Sequence, residues 1–578
     1  MTNLFDISNE KIIKILKELS IFYQIENIEF KSRAIDKAVH NLEALDKSLK
    51  EIYETQGFDG LKKIPGVGEG IARRIEEILK EGKLKEYEEY KKKIPIDIEN
   101  LVKIEGVGPK TIASLWKALK IKNVDDLQKA AKEHKICRLP RFGEKSEQKI
   151  LKGIEFYKQT SQRFLLGFIE PTVIHLKELL GSLKEVKKIE VAGSFRRRKE
   201  TIGDVDLLVV AKDPDKVMDF FVNLPGVQYI YARGSTKSSI RLENGLDVDL
   251  RIVEEKSFGA ALMYFTGSKE HNIELRQLAL KKGYKLNEYG LFKGEKFIAG
   301  FTEEDIYEKL NMEWIPPELR EARGEIEAAI EHRLPKLLKL TDLKGDLQVQ
   351  TNWTDGTNSL EELVSSAIKF GLKYIAITDH TKTLAMTGGL KEEEILKQIE
   401  EINKLNRKYK GKIKILTGAE VNILPDGNLD IDEKVLAKLD FVGASVHSHF
   451  NLPKSSQTKR IVKAIENKNV DCIFHLTTRI INRRPEIEVD LEEIFKKAAQ
   501  TKTLLEINAY PDRLDLKDIY IQEAKKWGVK FVIDSDAHSI YHFNFLKYGI
   551  DQANRGWCTK EDILNTLEVN EFLKRLKS

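Results

Sequence analysis

Three aspartates carry the sharpest chemical signal in this sequence. Asp204 and Asp206 open the apolar run D-V-D-L-L-V-V, and Asp249 lies in a second such run, L-D-V-D-L-R-I-V. Side chains two residues apart on a strand share a face, so Asp204 and Asp206 point the same way. Three carboxylates gathered in one place repel one another unless cations neutralise them, and oxygen-only ligands favour Mg²⁺ or Mn²⁺. An isolated Asp-x-Asp would read as the solvent side of a strand. Here Gly193-Ser194, the basic run Arg196-Arg197-Arg198-Lys199 and the third aspartate set it apart.

A second signal is histidine. Six of the eleven histidines fall between His380 and His542, several at the ends of apolar segments such as YIAITDH, LDFVGASVH, VDCIFHL and VKFVIDSDAH. Repeated strand-then-helix patterns beyond Gly345 predict a barrel or a doubly wound sheet, folds that place their chemistry at the C-terminal strand ends. The three cysteines, Cys137, Cys472 and Cys558, form no CxxC pair, so a metal site here must use histidine and carboxylate.

At 578 residues the chain exceeds one hydrophobic core and predicts several domains. Its 97 basic and 92 acidic residues leave a net charge of only +5, so attraction to nucleic acid must come from local patches. No apolar run is long enough to span a membrane and no leader is evident, which predicts a cytoplasmic protein. Residues 1 to about 155 read as short amphipathic helices between glycine turns, about 185 to 253 as a small antiparallel or mixed sheet, and about 317 to 343 as a connecting segment.

The helical part holds two copies of one plan, I-P-G-V-G-E-G-I-A from Ile64 and I-E-G-V-G-P-K-T-I-A from Ile104. Glycine lets a backbone come close to a partner, and the N–H groups at a helix start can bind phosphate. These segments resemble the helix-hairpin-helix motif, which holds DNA without reading bases, and mark Gly66, Gly68, Gly106 and Gly108 as DNA-binding positions. L-P-R-F-G-E-K from Leu139 is a weaker third copy.

The motifs G-S-F-R-R-R-K-E-T-I-G-D-V-D, D-L-R and Y-F-T-G-S together closely resemble the family X DNA polymerases across residues 1 to 316. The resemblance implies that Asp204 and Asp206 bind two metals and that Asp249 binds the catalytic one and assists removal of the primer 3′-hydroxyl proton. It places Ser194, Arg197 and Gly203 on the triphosphate, Tyr264 and Phe265 under the sugar, and Asn272 and Arg276 near the nascent base pair. Tyr264 would exclude a 2′-hydroxyl sterically, although an aromatic in this apolar stretch also suits a core. One departure stands out: Arg74 takes the place of the lysine that forms a Schiff base with abasic sugars in vertebrate relatives, and arginine cannot do so. Lys31 and Lys37 remain as point charges for a 5′-phosphate, or as ordinary solvated lysines. Ile35 replaces an aromatic of the same helix.

From about residue 344 the motifs D-L-Q-V-Q-T-N-W-T-D-G, I-T-D-H, G-A-E-V, S-V-H-S-H, I-F-H-L-T-T-R and S-D-A-H resemble the polymerase-and-histidinol-phosphatase (PHP) domain, a distorted βα barrel. That resemblance puts Asp355, His380, Glu420, His447, His475, Asp536 and His538 in ligand positions for Mn²⁺ or Zn²⁺, in a domain that processes DNA ends. His449 and His542 fall to the surface or to support. The family pattern has two histidines where this chain has Gln348 and Gln350, which implies incomplete metal occupancy and a weakened 3′-to-5′ exonuclease.

The expected architecture is multidomain: an all-α helix-hairpin-helix region, an α+β nucleotidyltransferase palm and thumb, and a C-terminal distorted βα barrel. The expected boundaries are 1–90 for a DNA-end-binding domain, 91–155 for a second helix-hairpin-helix subdomain, 156–258 for the palm, 259–316 for the thumb, 317–343 for a linker and 344–578 for the PHP domain. The function expected is gap-filling, DNA-directed DNA synthesis in repair by a monomer that binds gapped or nicked DNA, primer-template and dNTPs. Two alternatives stand beside it: a chain that is chiefly a DNA-end nuclease, and a non-catalytic DNA-end scaffold.

Overall fold

A computed structural model describes residues 4–576 except 6, 8, 44, 46, 105, 161–162 and 385–386. Residues 4–160 are helical, with no strand among the described residues. Helix Glu69–Glu81 shows why: its buried Ile71, Ala72, Ile75, Ile78 and Leu79 recur at one helical face, and Gly82 ends it in the left-handed conformation at φ 72°. Apolar side chains from Ile7 to Ile154 form one continuous core, so the two expected helical subdomains pack as a unit.

The palm is a five-stranded mixed sheet in the order Val186–Val191, Asp204–Ala211, Asp247–Ile252, Lys237–Leu242, Val227–Arg233. Its only parallel pair sets Asp204 beside Asp247 and Asp206 beside Asp249. The thumb follows as helices Phe258–Thr266 and Lys269–Lys281, a three-stranded meander and helix Glu303–Lys309.

Of residues 317–343, expected as a linker, Leu319, Ile326 and Ala329 join the thumb's apolar core, while Leu338 and Leu343 join the barrel's. Arg320 is fully buried and pairs with Glu303 through Nη1 and Nη2 at 2.7 and 3.0 Å, while Arg196 grips the same carboxylate at 2.7 and 2.8 Å. Glu325, also fully buried, meets Nδ1 of His271 at 2.7 Å. Proline made this stretch read as a connecting segment, yet two of its charges, Arg320 and Glu325, are buried with partners.

Beyond it, seven parallel strands run in sequence order from Gly345–Val349 to Phe531–Asp534. The ring closes where Val349 bridges Ala537, with Gln350 N donating to Ala537 O at 2.7 Å and Ala537 N to Gln348 O at 3.0 Å. Periodicity alone had left a barrel and a doubly wound sheet open, and this closure makes it a barrel.

The domains are joined by buried contacts. Ile481, Leu514, Phe545 and Tyr548 of the barrel domain belong to the palm's own apolar core. Arg479 clamps Glu200 of the palm at 3.0 and 2.6 Å, and Arg198 bridges Glu170 at 2.6 Å and Asp551 at 2.8 Å. At the barrel rim, the buried Asn41 of helix Glu29–Glu43 accepts hydrogen bonds from Thr357, at 3.2 Å, and from Ser539.

Candidate active sites

Parallel register brings the three sequence-predicted aspartates together. Gly193, at φ 65°, lies so close that a Cβ there would sit 3.1 Å from Oδ2 of Asp206. Asp249 receives Ser239 Oγ at 2.5 Å on Oδ1 and Lys237 Nζ at 2.7 Å on Oδ2. Arg251 spans the pair, 3.5 Å from Asp249 and 3.9 Å from Asp206. Burial, with the charge of Asp204 beside it, pushes the Asp206 carboxyl up to about 6. A carboxylate held unwillingly among its own kind fits a site for hard divalent cations. Lys237 and Arg251 carried no role in the sequence reading, although Arg251 stands two residues from Asp249 and so shares its face.

The residues that the resemblance assigns to the nucleotide fall in two groups. Tyr264 and Phe265 meet edge to face at 5.2 Å, Asn272 Nδ2 donates to Tyr264 O at 2.7 Å, and Arg276 Nε donates to Asn272 O at 3.2 Å. The Arg251 guanidinium lies 4.5 Å from the Phe265 ring centre, which ties the thumb to the carboxylates. Ser194, Arg197 and Asp204 line a cavity of about 570 Å³ together with Lys199, Asp518 and Arg555. Gly203 lies beside Arg163, whose Nη1 would be 3.2 Å from an added Cβ. Within the basic run, Arg196 and Arg198 are committed to Glu303 and to Glu170 and Asp551, while Arg197 binds Glu321 at 3.0 Å and the Thr266 carbonyl.

In the barrel, the ligand candidates form two adjoining groups, Asp355–His380–His538 and His380–Glu420–His447. Asp355 Oδ2 is 3.7 Å from His380 Nε2 and 3.5 Å from His538 Nε2. Glu420 meets His380 at 3.2 Å, His447 at 3.1 Å and His475 at 2.9 Å. Burial alone would raise the Glu420 carboxyl, but the surrounding imidazoles outweigh it and hold it well below the usual range. Burial likewise opposes a charged His538, yet Asp355 pushes it up to about 10. Mixed nitrogen and oxygen donors at these distances fit Mn²⁺ or Zn²⁺.

The remaining position fits such an ion poorly. Gln348 and Gln350 are fully buried, and neither brings a basic nitrogen. Asp536 is faced by Arg513 Nε at 3.3 Å and Asn508 Nδ2 at 3.2 Å, so a fixed guanidinium already balances it. Burial with the nearby Arg513 charge also lowers His475 to about 4. Arg513 escaped the sequence reading because it sits outside any regular element, with no periodicity to mark it. His449 is exposed; His542 is buried and its Nδ1 accepts from the His538 backbone N–H at 3.2 Å, a supporting place.

Family models match along the chain: a helix-hairpin-helix domain at 7–84, a SAM-like helix-hairpin-helix tandem at 98–155, a DNA polymerase beta thumb at 261–321 and a PHP domain at 346–510. The DNA polymerase/3′-5′ exonuclease PolX of Bacillus subtilis (strain 168) is 37% identical over 572 residues, 98% of this chain and 99% of its own length. The chain belongs to the family X DNA polymerases. A probable phosphatase of Thermoanaerobacter sp. (strain X514) is 31% identical over 232 residues, 38% of this chain and 89% of its own. Leishmania infantum polymerase beta, in a ternary complex, is 27% identical, with a TM-score of 0.26 over 39% of this chain and 97% of that one.

The hairpins of this family X polymerase share one backbone. Val67 N donates to Ile64 O and Val107 N to Ile104 O, each at 3.0 Å, with Gly66 and Gly106 at φ 76° and 85°. The third copy repeats it, Phe142 N to Leu139 O at 3.0 Å, with Arg141 at φ 71° in the glycine's place. Gly68 and Gly108 stand extended just before helices Glu69–Glu81 and Pro109–Leu119. Gly66 packs on helix Glu29–Glu43, where a Cβ would come within 3.1 Å of Lys37 O. Lys31 and Lys37 are exposed on that helix, and Ile35 is buried. Arg74 is fixed by Tyr23 OH at 2.9 Å and Glu86 at 3.0 Å. No helix among the described residues is long and apolar enough to cross a membrane.

Proposed function

We propose that this polymerase fills short gaps in DNA under repair, acting as a single chain on primer-template in gapped or nicked duplex. The observation that carries this reading is the parallel register that sets Asp206 beside Asp249, two positions beyond Asp204, which lines the cavity reached by Ser194 and Arg197. Asp204, Asp206 and Asp249 would hold Mg²⁺ or Mn²⁺, which supplies a more nucleophilic primer hydroxyl and neutralises charge on the leaving pyrophosphate. Asp249 takes part in removing the 3′-hydroxyl proton, and Ser194, Arg197 and the backbone at Gly203 grip the triphosphate. Tyr264 and Phe265 lie under the sugar, while Asn272 and Arg276 stand at the nascent pair. The hairpin N–H groups at Gly66, Gly68, Gly106 and Gly108 hold backbone phosphates, with Lys31 and Lys37 near a 5′-phosphate.

For the barrel we infer a 3′-to-5′ exonuclease weakened at the position of Gln348 and Gln350, where Asp536 is already paired with Arg513. Asp355, His380, Glu420, His447, His475 and His538 would hold the ions that remain. Single-nucleotide insertion on gapped DNA with Mg²⁺ or Mn²⁺ tests the main reading: no insertion would leave only a nuclease or a scaffold.

A further inference from the structure

The cavity beside Ser194 and Asp204 is not made by the polymerase domains alone. Asp518 and Arg555, both from the barrel domain, form part of its wall. Arg555 ends helix Leu546–Arg555 and is 2% exposed. It donates through Nη1 to the backbone carbonyl of Arg197 at 2.7 Å and to Glu321 Oε1 at 3.1 Å, and through Nη2 to Asp518 at 2.6 Å.

Glu321 is therefore surrounded by more cations than it needs. Arg197 Nε reaches the same Oε1 at 3.0 Å, and Lys199 Nζ stands 3.7 Å from Oε2. Of the two guanidiniums, Arg555 is anchored by two other acceptors, while Arg197, held besides by the Thr266 carbonyl, shares its cavity with Ser194 and Asp204. A half-buried carboxylate stripped of its partner is strongly unfavourable, so Arg197 can leave Glu321 only if other cations stay behind. Arg555 and Lys199 are those cations.

We infer that Arg555 is a positioning residue of the polymerase centre: it holds Glu321 and the Arg197 backbone so that the Arg197 guanidinium can pass from carboxylate to nucleoside triphosphate, which makes the barrel domain part of the nucleotide site. This rests on the reading above that Arg197 grips the triphosphate. Glu321 then acts as a placeholder, an internal anion that keeps Arg197 in place until a triphosphate displaces it.

The test is single-nucleotide insertion by the full chain on gapped DNA, with KM for the dNTP and kcat measured separately. Arg197→Ala and Arg555→Ala should each raise KM by about tenfold or more, and Arg555→Ala should change kcat by less than about threefold. Glu321→Gln removes the charge that Arg555 has to retain, so adding Arg555→Ala to Glu321→Gln should raise KM by less than about threefold. A normal KM in Arg197→Ala overturns the triphosphate reading itself. A raised KM in Arg197→Ala with a normal one in Arg555→Ala overturns only the role of Arg555. A penalty for Arg555→Ala that persists undiminished beside Glu321→Gln also overturns it, because Arg555 would then be supporting the interface alone. Should Arg555→Ala fail to fold, Arg555→Lys replaces it in the same cycle: a KM rise suppressed by Glu321→Gln supports the inference, and an unsuppressed rise or no rise overturns it.

Discussion

The side-chain amide of Gln350 donates to Oε2 of Glu420 across 2.9 Å. It satisfies one oxygen of the carboxylate on which three imidazoles converge, and it does so as a neutral donor. An imidazole in its place would offer a basic lone pair to a metal instead of a proton to the carboxylate.

Gln348→His with Gln350→His should therefore strengthen one metal position. We expect Mn²⁺-dependent 3′-to-5′ degradation of single-stranded DNA to rise about tenfold, the lower end of what metal support is worth, with nucleotide insertion unchanged. Strong degradation by the parent chain, abolished by chelator and indifferent to the two histidines, would show that the amides do not limit the site.

Asp249→Ala should abolish nucleotide addition while gapped-DNA affinity stays within about twofold, if the hairpins hold the phosphates as proposed. Lys237 and Arg251 lose a partner in this variant, so Asp249→Asn, which keeps the hydrogen bond from Ser239, is the control for local collapse. Insertion near the parent rate in either would remove Asp249 from the chemistry.

DNA binding should ignore base sequence and weaken steeply with salt, because backbone N–H groups and Lys or Arg side chains address phosphates. Gly66→Val should weaken it for any sequence, since a side chain there would strain a left-handed turn and press on Lys37 O. Fluorescence anisotropy across a salt series checks this, and a flat series would contradict it.

No efficient Schiff-base lyase is expected. Arg74 stays protonated and is held by Tyr23 and Glu86, while burial, aided by the Glu86 hydrogen bond, pushes the Tyr23 hydroxyl well above its ordinary value. Borohydride should trap no adduct on an incised abasic site. A trapped adduct, mapped by proteolysis, would identify another amine.

Glu303→Gln should cost roughly 3–5 kcal/mol, because it leaves the fully buried Arg320 and the partly buried Arg196 without a counter-charge. Burial alone would raise the Glu303 carboxyl, but Arg320 and Arg196 outweigh it and hold it far below its ordinary 4.5. A lowered folded value means this stability is fully present above 4.5 and is lost as pH falls below it. Thermal melts from neutral to acid pH should show Glu303→Gln converging on the parent at the acid end, and parallel curves would exclude the linkage.

Strand alternation made Asp204 and Asp206 readable as one face, and the second apolar run marked Asp249. The same rule applied to Arg251 would have found it. Glycine-bounded helices likewise exposed the hairpins, including the copy where Arg141 takes the left-handed turn. Glu321 and Arg555 were not legible: each acts through a partner far along the chain, as Arg555 does on Arg197 across 358 residues, and local pattern holds no trace of such pairs. Residues 317–343 read as a connecting segment because the counter-charges that let Arg320 and Glu325 be buried, Glu303 and His271, lie outside it.

The palm's apolar core takes Ile481, Leu514, Phe545 and Tyr548 from the far end of the sequence. A ribosome delivers the strand bearing Asp204 long before it delivers Tyr548, and domains start to fold as they emerge. Each missing side chain withholds about 1.5–3 kcal/mol of burial, so the nascent palm waits with an apolar flank open to water. A chain stopped at 343 would keep that flank for good: such a truncation, designed to isolate the polymerase, should be poorly soluble until the flank is recut with polar residues.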